Sequence, residues 1–407
     1  MSRRVEALVV VGAGVSACAL AARLRQQGWR GSMTLVEAGR SVGGRSASRR
    51  SRRHPGAHLD HGAPRFGLNP DQPPALLQPL LRSGRLVPFR KQDLGERLLD
   101  GEHQLLEDPG PFSQDGDPHR GATAMEDLCL GLLDLAEQAC LPTGPAAGAP
   151  PLQRIHGRRV QTLEGGGSEP WRLLDGEGVL LSEGAWLVLS GTLLAHPRCL
   201  PLLGCHEIPL AAANRHLRDP QLSRALEAIA AQGHDPRLAL LFWIGEPAAS
   251  RWQALPFRQL CLTEAARQRW GLERIVIQPQ ASKAGMIGVV AHARPDALQH
   301  AWGSQPGETP DEQALISQLR AALLAALEPW VGSGDLPDPQ ECQLMRWGGA
   351  FPLPPGLNPT AMICPESHLA LCGDAITGPG FGRISGAWHS GEWLAQRLLP
   401  LLSSPNP

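Results

Sequence analysis

A short apolar run at residues 5–11 reads as a strand buried on both faces. Gly12-Ala13-Gly14 breaks it, after which Val15, Cys18, Ala19 and Ala22 recur at helical spacing and Gly28 marks the helix end. The small residues on that face let the helix lie close to a sheet. A second apolar strand follows at residues 33–37, which completes a strand–helix–strand opening. Residues 68–150 are rich in Pro, Gly and Asp and predict one clear helix, at 125–139, carrying Leu128, Leu132, Leu133 and Leu135. Residues 142–151 read as a flexible linker. Strand patterns come next at 179–181, 186–190, 238–244, 274–278 and 286–291, with an amphipathic helix near 311–330 marked by Ile316, Leu319, Leu323 and Leu327. The last part predicts a strand at 369–372, a glycine-rich loop, and a helix with Ile384, Ala387, Trp388, Gly391 and Leu398 on one side. No internal repeat interrupts this order.

Composition narrows the function classes. A chain of 407 residues is long enough for two or three domains, and 42% hydrophobic content excludes wholesale disorder. With 38 Lys+Arg against 39 Asp+Glu, the net charge of −1 excludes a globally basic binder of nucleic acid or membrane surfaces. Tyrosine is absent, so no phenol can take part in chemistry, and Lys91 and Lys283 are the two lysines. Nine scattered cysteines without a Cys-x-x-Cys pair fit reduced, buried thiols better than disulfides or a zinc site, and no metal is expected. Arg3 and Arg4 before the uncharged stretch 7–22 imitate a signal peptide. Gly12 and Gly14 interrupt that stretch, and cleavage would remove the most informative motif of the chain. A soluble, cytoplasmic protein acting on a small molecule is expected, with its oligomeric state open.

Gly12-Ala13-Gly14-Val15-Ser16-Ala17 has the Gly-x-Gly-x-x-Gly/Ala form between a strand and a helix. Gly12 permits the tight turn, Gly14 allows backbone to approach a pyrophosphate, and Ala17 permits close helix–strand packing. The helix start at Val15 and Ser16 adds unpaired N–H groups and a partial positive charge. Glu37, with Ala38 after it, ends the second strand, where a carboxylate accepts hydrogen bonds from ribose hydroxyls and repels a 2′-phosphate. Gly43-Gly44-Arg45 follows as a second glycine turn with a cation, which suits a longer dinucleotide carrying a bulky ring. The run Arg45–Arg53 otherwise reads as a solvated loop, with attraction of an anionic substrate as the other reading.

Here the sequence resembles the FAD-binding amine-oxidase superfamily, whose signature is a Rossmann fingerprint, a ribose Glu and then Gly-Gly-Arg. The resemblance extends to Asp60-His61-Gly62-Ala63-Pro64-Arg65, which implies that Gly62, Ala63, Pro64 and Arg65 pass the flavin ring. It extends also to Gly373-Asp374, the glycines at 378–382, Arg383-Ile384, and Gly386-Ala387-Trp388-His389-Ser390-Gly391. By that likeness Arg45 lies near the pyrophosphate or the flavin, Asp374 bonds a ribityl hydroxyl, and the final helix points N–H groups at the flavin edge. Within the superfamily, Ser282-Lys283-Ala284-Gly285 with 289–293, Arg346-Trp347 with 348–352, and 186–190 are similar to renalase and its bacterial relatives.

The expected architecture is α/β, a Rossmann-type FAD-binding domain with a second, mostly β-sheet substrate domain. The first is assembled from residues 1–68, 152–204 and 340–400, the second from 69–151 and 205–339. Non-covalent FAD is implied as cofactor, because no Cys stands where covalent attachment would be expected. The activity implied is hydride transfer from a small reduced substrate to the flavin, renalase-like, with a dihydronicotinamide isomer as donor and oxygen as acceptor. An amine oxidase, a desaturase of apolar substrates, and a flavin-holding scaffold without turnover stay open. Trp347 and Phe351 are the substrate-contact candidates, Lys283 is the candidate near the reacting flavin atom, and His61 reads as structural.

Overall fold

The computed structural model describes residues 7–69, 71–89, 95–107, 116–280, 283, 285–294 and 311–403. Two sheets organise it. The first has six strands in the order Gln153–His156, Ser32–Glu37, Ala7–Val11, Trp186–Ser190, Leu369–Cys372 and Ile363–Cys364, parallel except for the last. Its strands are apolar on both faces because both are covered. Leu8, Val10, Met33, Leu35 and Val188 pack under the helices Val15–Gln26, Glu126–Gln138 and Ile384–Ser403. Val9, Val36, Leu187 and Leu371 face the opposite way, onto Trp171 of a three-stranded meander and onto the helices Pro209–Leu217 and Pro220–Ala231.

The second sheet has seven strands, ordered Gln343–Pro352, His234–Ile244, Ile287–Ala293, Leu272–Pro279, Gln259–Leu262, Glu96–Leu99 and Leu105–Leu106. Its neighbours are antiparallel except for the parallel pair Gln259–Leu262 with Glu96–Leu99. Along His234–Ile244 the side chains alternate with period 2. Leu238, Leu240 and Phe242 enter a core with Trp252, Leu319 and Leu323 beneath three helices, whereas Ala239, Leu241 and Trp243 turn toward Ala57 and Leu59. Burying each Leu of these cores contributes about 1.5–3 kcal/mol.

Several expectations shift. The helix Glu126–Gln138, placed by sequence with the second domain, shares the core of the first sheet with Cys18 and Leu24. The helices Pro209–Leu217 and Pro220–Ala231 also cover the first sheet, although residues 205–339 were assigned to the second domain. Conversely, Gln343–Pro352 is an edge strand of the second sheet and not part of the first. The stretch 142–151 is no flexible linker: Ala146 is buried, its N–H bonds Ala139 O at 2.9 Å, and Arg25 Nη2 donates to Pro150 O at 3.1 Å. The arginine run is solvated at Arg50, Arg52 and Arg53, as expected, but its middle part is a strand and the run is anchored by partners. The strand Ser48–Arg50 pairs with His58–Asp60, Arg50 meets Glu126 at 2.9 Å, Arg53 meets Glu341, and Arg49 Nε donates to Gln343 at 3.0 Å.

All nine cysteines are free of disulfides. Among the described residues no helix is long and apolar enough to cross a membrane, and no His/Cys/Asp/Glu group could hold a metal. Ser282 and Ala284 of the renalase-like stretch, together with Lys91, lie outside the described residues.

Candidate active site

Parallel strands bring their carboxyl ends to one edge of the first sheet, and the chemistry gathers there. Gly12 follows one strand, Glu37 ends the next, Ser190 and Gly191 end a third, and Gly373 and Asp374 follow a fourth. Together they open onto one cavity of about 1220 Å³ whose far wall is the second sheet. Ligand pockets usually measure about 300–1,000 Å³. The space therefore suits a dinucleotide-sized molecule together with a smaller one.

The glycine loop has the geometry the fingerprint requires. Gly12 adopts φ +99°, and its N–H bonds Val36 O at 2.8 Å, a conformation costly for residues with a Cβ. Gly14 precedes the first helix with no side-chain cap, and a Cβ built on it meets nothing within 4 Å, since it points into open space. Free helix N–H groups and an unfilled approach over Gly14 are what a phosphate needs. Gly43 N–H bonds Ala13 O at 2.8 Å, so the second glycine turn lies directly against the first. Glu37 is fixed in place: its Oε2 accepts from Ala13 N–H at 2.7 Å and its Oε1 from Gly39 N–H at 2.6 Å. Each oxygen keeps a lone pair for a ribose hydroxyl.

The C-terminal stretch closes the cavity. Arg45 Nη1 donates to Asp374 Oδ2 at 2.7 Å, Nη2 pairs with Oδ1, and Nη1 also reaches Ala350 O. Burial disfavours the Arg45 charge, but the facing carboxylate outweighs it and raises the guanidinium above the ordinary arginine range. Arg45 and Asp374, read separately as phosphate and ribityl contacts, are thus one ion pair that ties residue 45 to residue 374 across the cavity. A Cβ on Gly62 would overlap the carbonyl oxygen of Arg45, and one on Gly391 would overlap that of Ser16. Those glycines let the 62–65 loop and the final helix approach the fingerprint so closely.

Gly12, Gly14, Val15, Ser16, Glu37, Gly43, Gly44 and Arg45 all line the cavity, as do residues 62–65, Gly373, Asp374, Arg383, Ile384, Trp347 and Phe351. Three expected residues do not. Ala17 is buried beneath the helix, where its small side chain serves packing. Ala38 is exposed beyond the end of its strand. Lys283 sits in the turn between Leu272–Pro279 and Ile287–Ala293, at the opposite end of that hairpin from the cavity residues Arg274 and His292. At about 3.3 Å per residue the hairpin puts roughly 20 Å between them. Lys283 therefore does not line this cavity.

Sequence reading missed Arg237, Glu273, Arg274 and His292, which form the polar end of the cavity on the second sheet. A signal was available: Arg237, Arg274 and His292 each interrupt or begin an apolar strand. Arg274 Nη2 donates to His292 Nε2 at 3.0 Å, and Arg237 meets Asp235 at 2.9 Å and Glu273 at 3.3 Å. Burial, then the charges of Arg274 and Arg237, hold His292 well below the usual histidine range, so it is neutral. Behind the cavity, His61 lies against Trp347, its ring tilted by 30° with 5.5 Å between ring centroids, and is pushed down to about 4 by burial and by Arg49.

These two histidines predict acid sensitivity. A buried imidazole with a lowered pKa binds fewer protons than the unfolded chain, so its penalty is absent above the free value of 6.5 and grows as pH falls from there. Each contributes a loss of about 1.4 kcal/mol per pH unit while only its unfolded form is protonated. Asp60, raised by burial, works in the opposite sense at lower pH. The urea midpoint should be clearly lower at pH 5 than at pH 7.5; equal midpoints would show that the two rings are not held neutral.

The fold is α/β, a Rossmann-type domain with a second, sheet-built part facing the carboxyl ends of its strands. Residues 10–80 match the family model of an NAD(P)-binding Rossmann-like domain. Solved structures share the whole two-domain fold. A cyclohexylamine oxidase from Brevibacterium oxydans IH-35A superposes with TM-score 0.61 at 14% identity, covering 98% of this chain and 100% of that one. A putrescine oxidase bound to putrescine gives TM-score 0.59 at 13% identity, over 97% of this chain and 99% of that one. A protein from Exiguobacterium sp. 255-15 bearing the name protoporphyrinogen oxidase gives 0.57 at 13%, over 98% and 99%. At such identities the likeness is one of fold. No curated protein sequence matches the chain.

Proposed function

We propose that the protein is an oxidoreductase that holds FAD non-covalently and oxidises a small reduced molecule, with dioxygen as acceptor. The observation that carries this reading is the meeting of residues 12–45 with residues 373–384 around one cavity, joined by the Arg45–Asp374 pair. Bound there, FAD would supply the two-electron acceptor, and the protein binding, orientation and electrostatics. Gly14 and the first helix would carry the pyrophosphate, Glu37 the adenosine ribose, and Arg45 would offset phosphate charge. The start of the helix Ile384–Ser403 adds N–H groups and positive potential where negative charge develops on reduction. Glu37, already fixed by two backbone N–H groups, favours a free 2′-hydroxyl over a 2′-phosphate. The nine unpaired cysteines support a reducing, cytoplasmic setting.

The finer, renalase-like reading makes the reductant a dihydronicotinamide isomer. The room left in the cavity and the aromatic wall of Trp347 and Phe351 support it. Oxidation of an amine is the second reading, favoured by the fold shared with cyclohexylamine and putrescine oxidases. Purified protein should be yellow or become so with added FAD. Under anaerobic mixing with isomeric dihydro-NAD the yellow colour should bleach and return with air. Persistent colour with those donors but bleaching with amines would favour the second reading, and failure to take up FAD would end both.

A further inference from the structure

The polar end of the cavity bears on what the substrate carries. Strand register sets its layout: Arg237 lies opposite Trp347, and His292 lies opposite both Ala239 and Arg274. Register partners share a face, and so do residues two apart. Trp347, Arg237, His292 and Arg274 therefore stand side by side on one face, on four successive strands, and all four line the cavity. The carboxylates near them are already engaged. Glu96 pairs with Arg65 and accepts from Gln259 at 2.8 Å, while Arg237 is faced by Asp235 at 2.9 Å on Nη1 and by Glu273 at 3.3 Å on Nε, which leaves Nη2 for a ligand. Asp117 stands at the exposed rim. Arg237 lies over the Phe351 ring, 5.2 Å from its centroid, so its plane is held against an aromatic wall.

We propose that the substrate carries an oxyanion, carboxylate or phosphate, which Arg237 and Arg274 bind at the cavity end opposite the glycine loops, and that free amines are excluded there. This rests on the flavin reading of the same cavity and goes further by fixing the charge of the substrate. An ammonium group would have to displace an arginine from Glu96 or Glu273 and would meet two guanidinium groups. An oxyanion finds planar N–H forks that match its geometry. Burial pulls the Arg274 guanidinium below the ordinary arginine range, with Cys261 and Glu273 opposing the shift and Arg65 and Arg237 adding to it. His292, neutral and accepting from Arg274, adds no competing anion.

The test uses three ligands that share a ring and differ in head group: benzoate, phenyl phosphate and benzylamine. Each is titrated into FAD-loaded protein while flavin absorbance is followed, and into cofactor-free protein by thermal shift. Benzoate or phenyl phosphate should saturate both signals, and the tighter of the two identifies the head group as carboxylate or phosphate. Benzylamine should bind at least tenfold more weakly than that anion. Arg274→Gln and Arg237→Gln should each weaken the anion at least tenfold, while Arg274→Lys, which keeps the charge but loses the fork, gives an intermediate loss. Preferred binding of benzylamine overturns the proposal, as does the absence of any anion response or unchanged anion affinity in the arginine variants. If a variant fails to fold, the ranking of the three ligands on the unaltered protein decides. A protein that takes up no FAD yet binds the anion in the thermal assay refutes the flavin reading alone.

Discussion

Gly14→Val is expected to give a protein that folds normally and has lost most of its affinity for FAD. At Gly14 the backbone has φ −77° and ψ −179°, an extended conformation open to any residue, and nothing stands within 4 Å of the added Cβ. In the cofactor-free protein the cost is limited to exchanging glycine for a poorer residue at the helix start, about 1 kcal/mol or less. The new methyl groups occupy the approach to the helix N-terminus that a pyrophosphate would use. Overpacking of a filled site costs about 1–3 kcal/mol, which is a weakening of roughly 5- to 150-fold. Melting without cofactor and FAD titration by fluorescence quenching separate the two effects. If both protein and variant bind FAD equally, the cofactor does not lie over this loop.

Gly62→Ala should behave differently and damage both properties. The added Cβ would overlap the Arg45 carbonyl oxygen, a backbone atom that cannot swing aside as a flexible side chain would. That oxygen also accepts the Ala63 N–H at 3.1 Å, so relief requires the 62–65 loop to move away from residue 45. Overpacking of this kind costs about 1–3 kcal/mol of folding free energy. The shift also disturbs the Arg45–Asp374 pair, so FAD binding falls along with the melting temperature. A variant with unaltered melting would mean that the two loops are less closely apposed than the structure has them. The contrast between open space at Gly14 and a crowded approach at Gly62 could not be read from sequence, where both are simply motif glycines.

Much of the glycine-loop end of the cavity was legible beforehand. Gly12, Gly14 and Glu37 lie within some 25 residues of one another, and their placement follows from a local strand–turn–helix geometry that spacing alone specifies. The strand Leu369–Cys372 and the loop after it were equally plain, because a fully apolar run ending in Gly-Asp has few other uses. The position of Lys283 away from the cavity was not legible for the converse reason: a strand pattern says nothing of which end of a hairpin faces a cavity. Arg237 and Arg274 went unnoticed because each looks like an ordinary polar position until pairing sets them beside His292.

By itself, then, the chain determined the short-range devices: the tight turn at Gly12, the uncapped helix start, the carboxylate of Glu37 at the strand end and the apolar strands that carry them. These depend on dihedral preference and hydrophobic period, which act over a few residues. Only the tertiary structure decided which distant groups share a space, such as Arg45 with Asp374, or the arginines of the second sheet with the aromatic wall. Such meetings depend on strand order and register across hundreds of residues, and no local pattern encodes them.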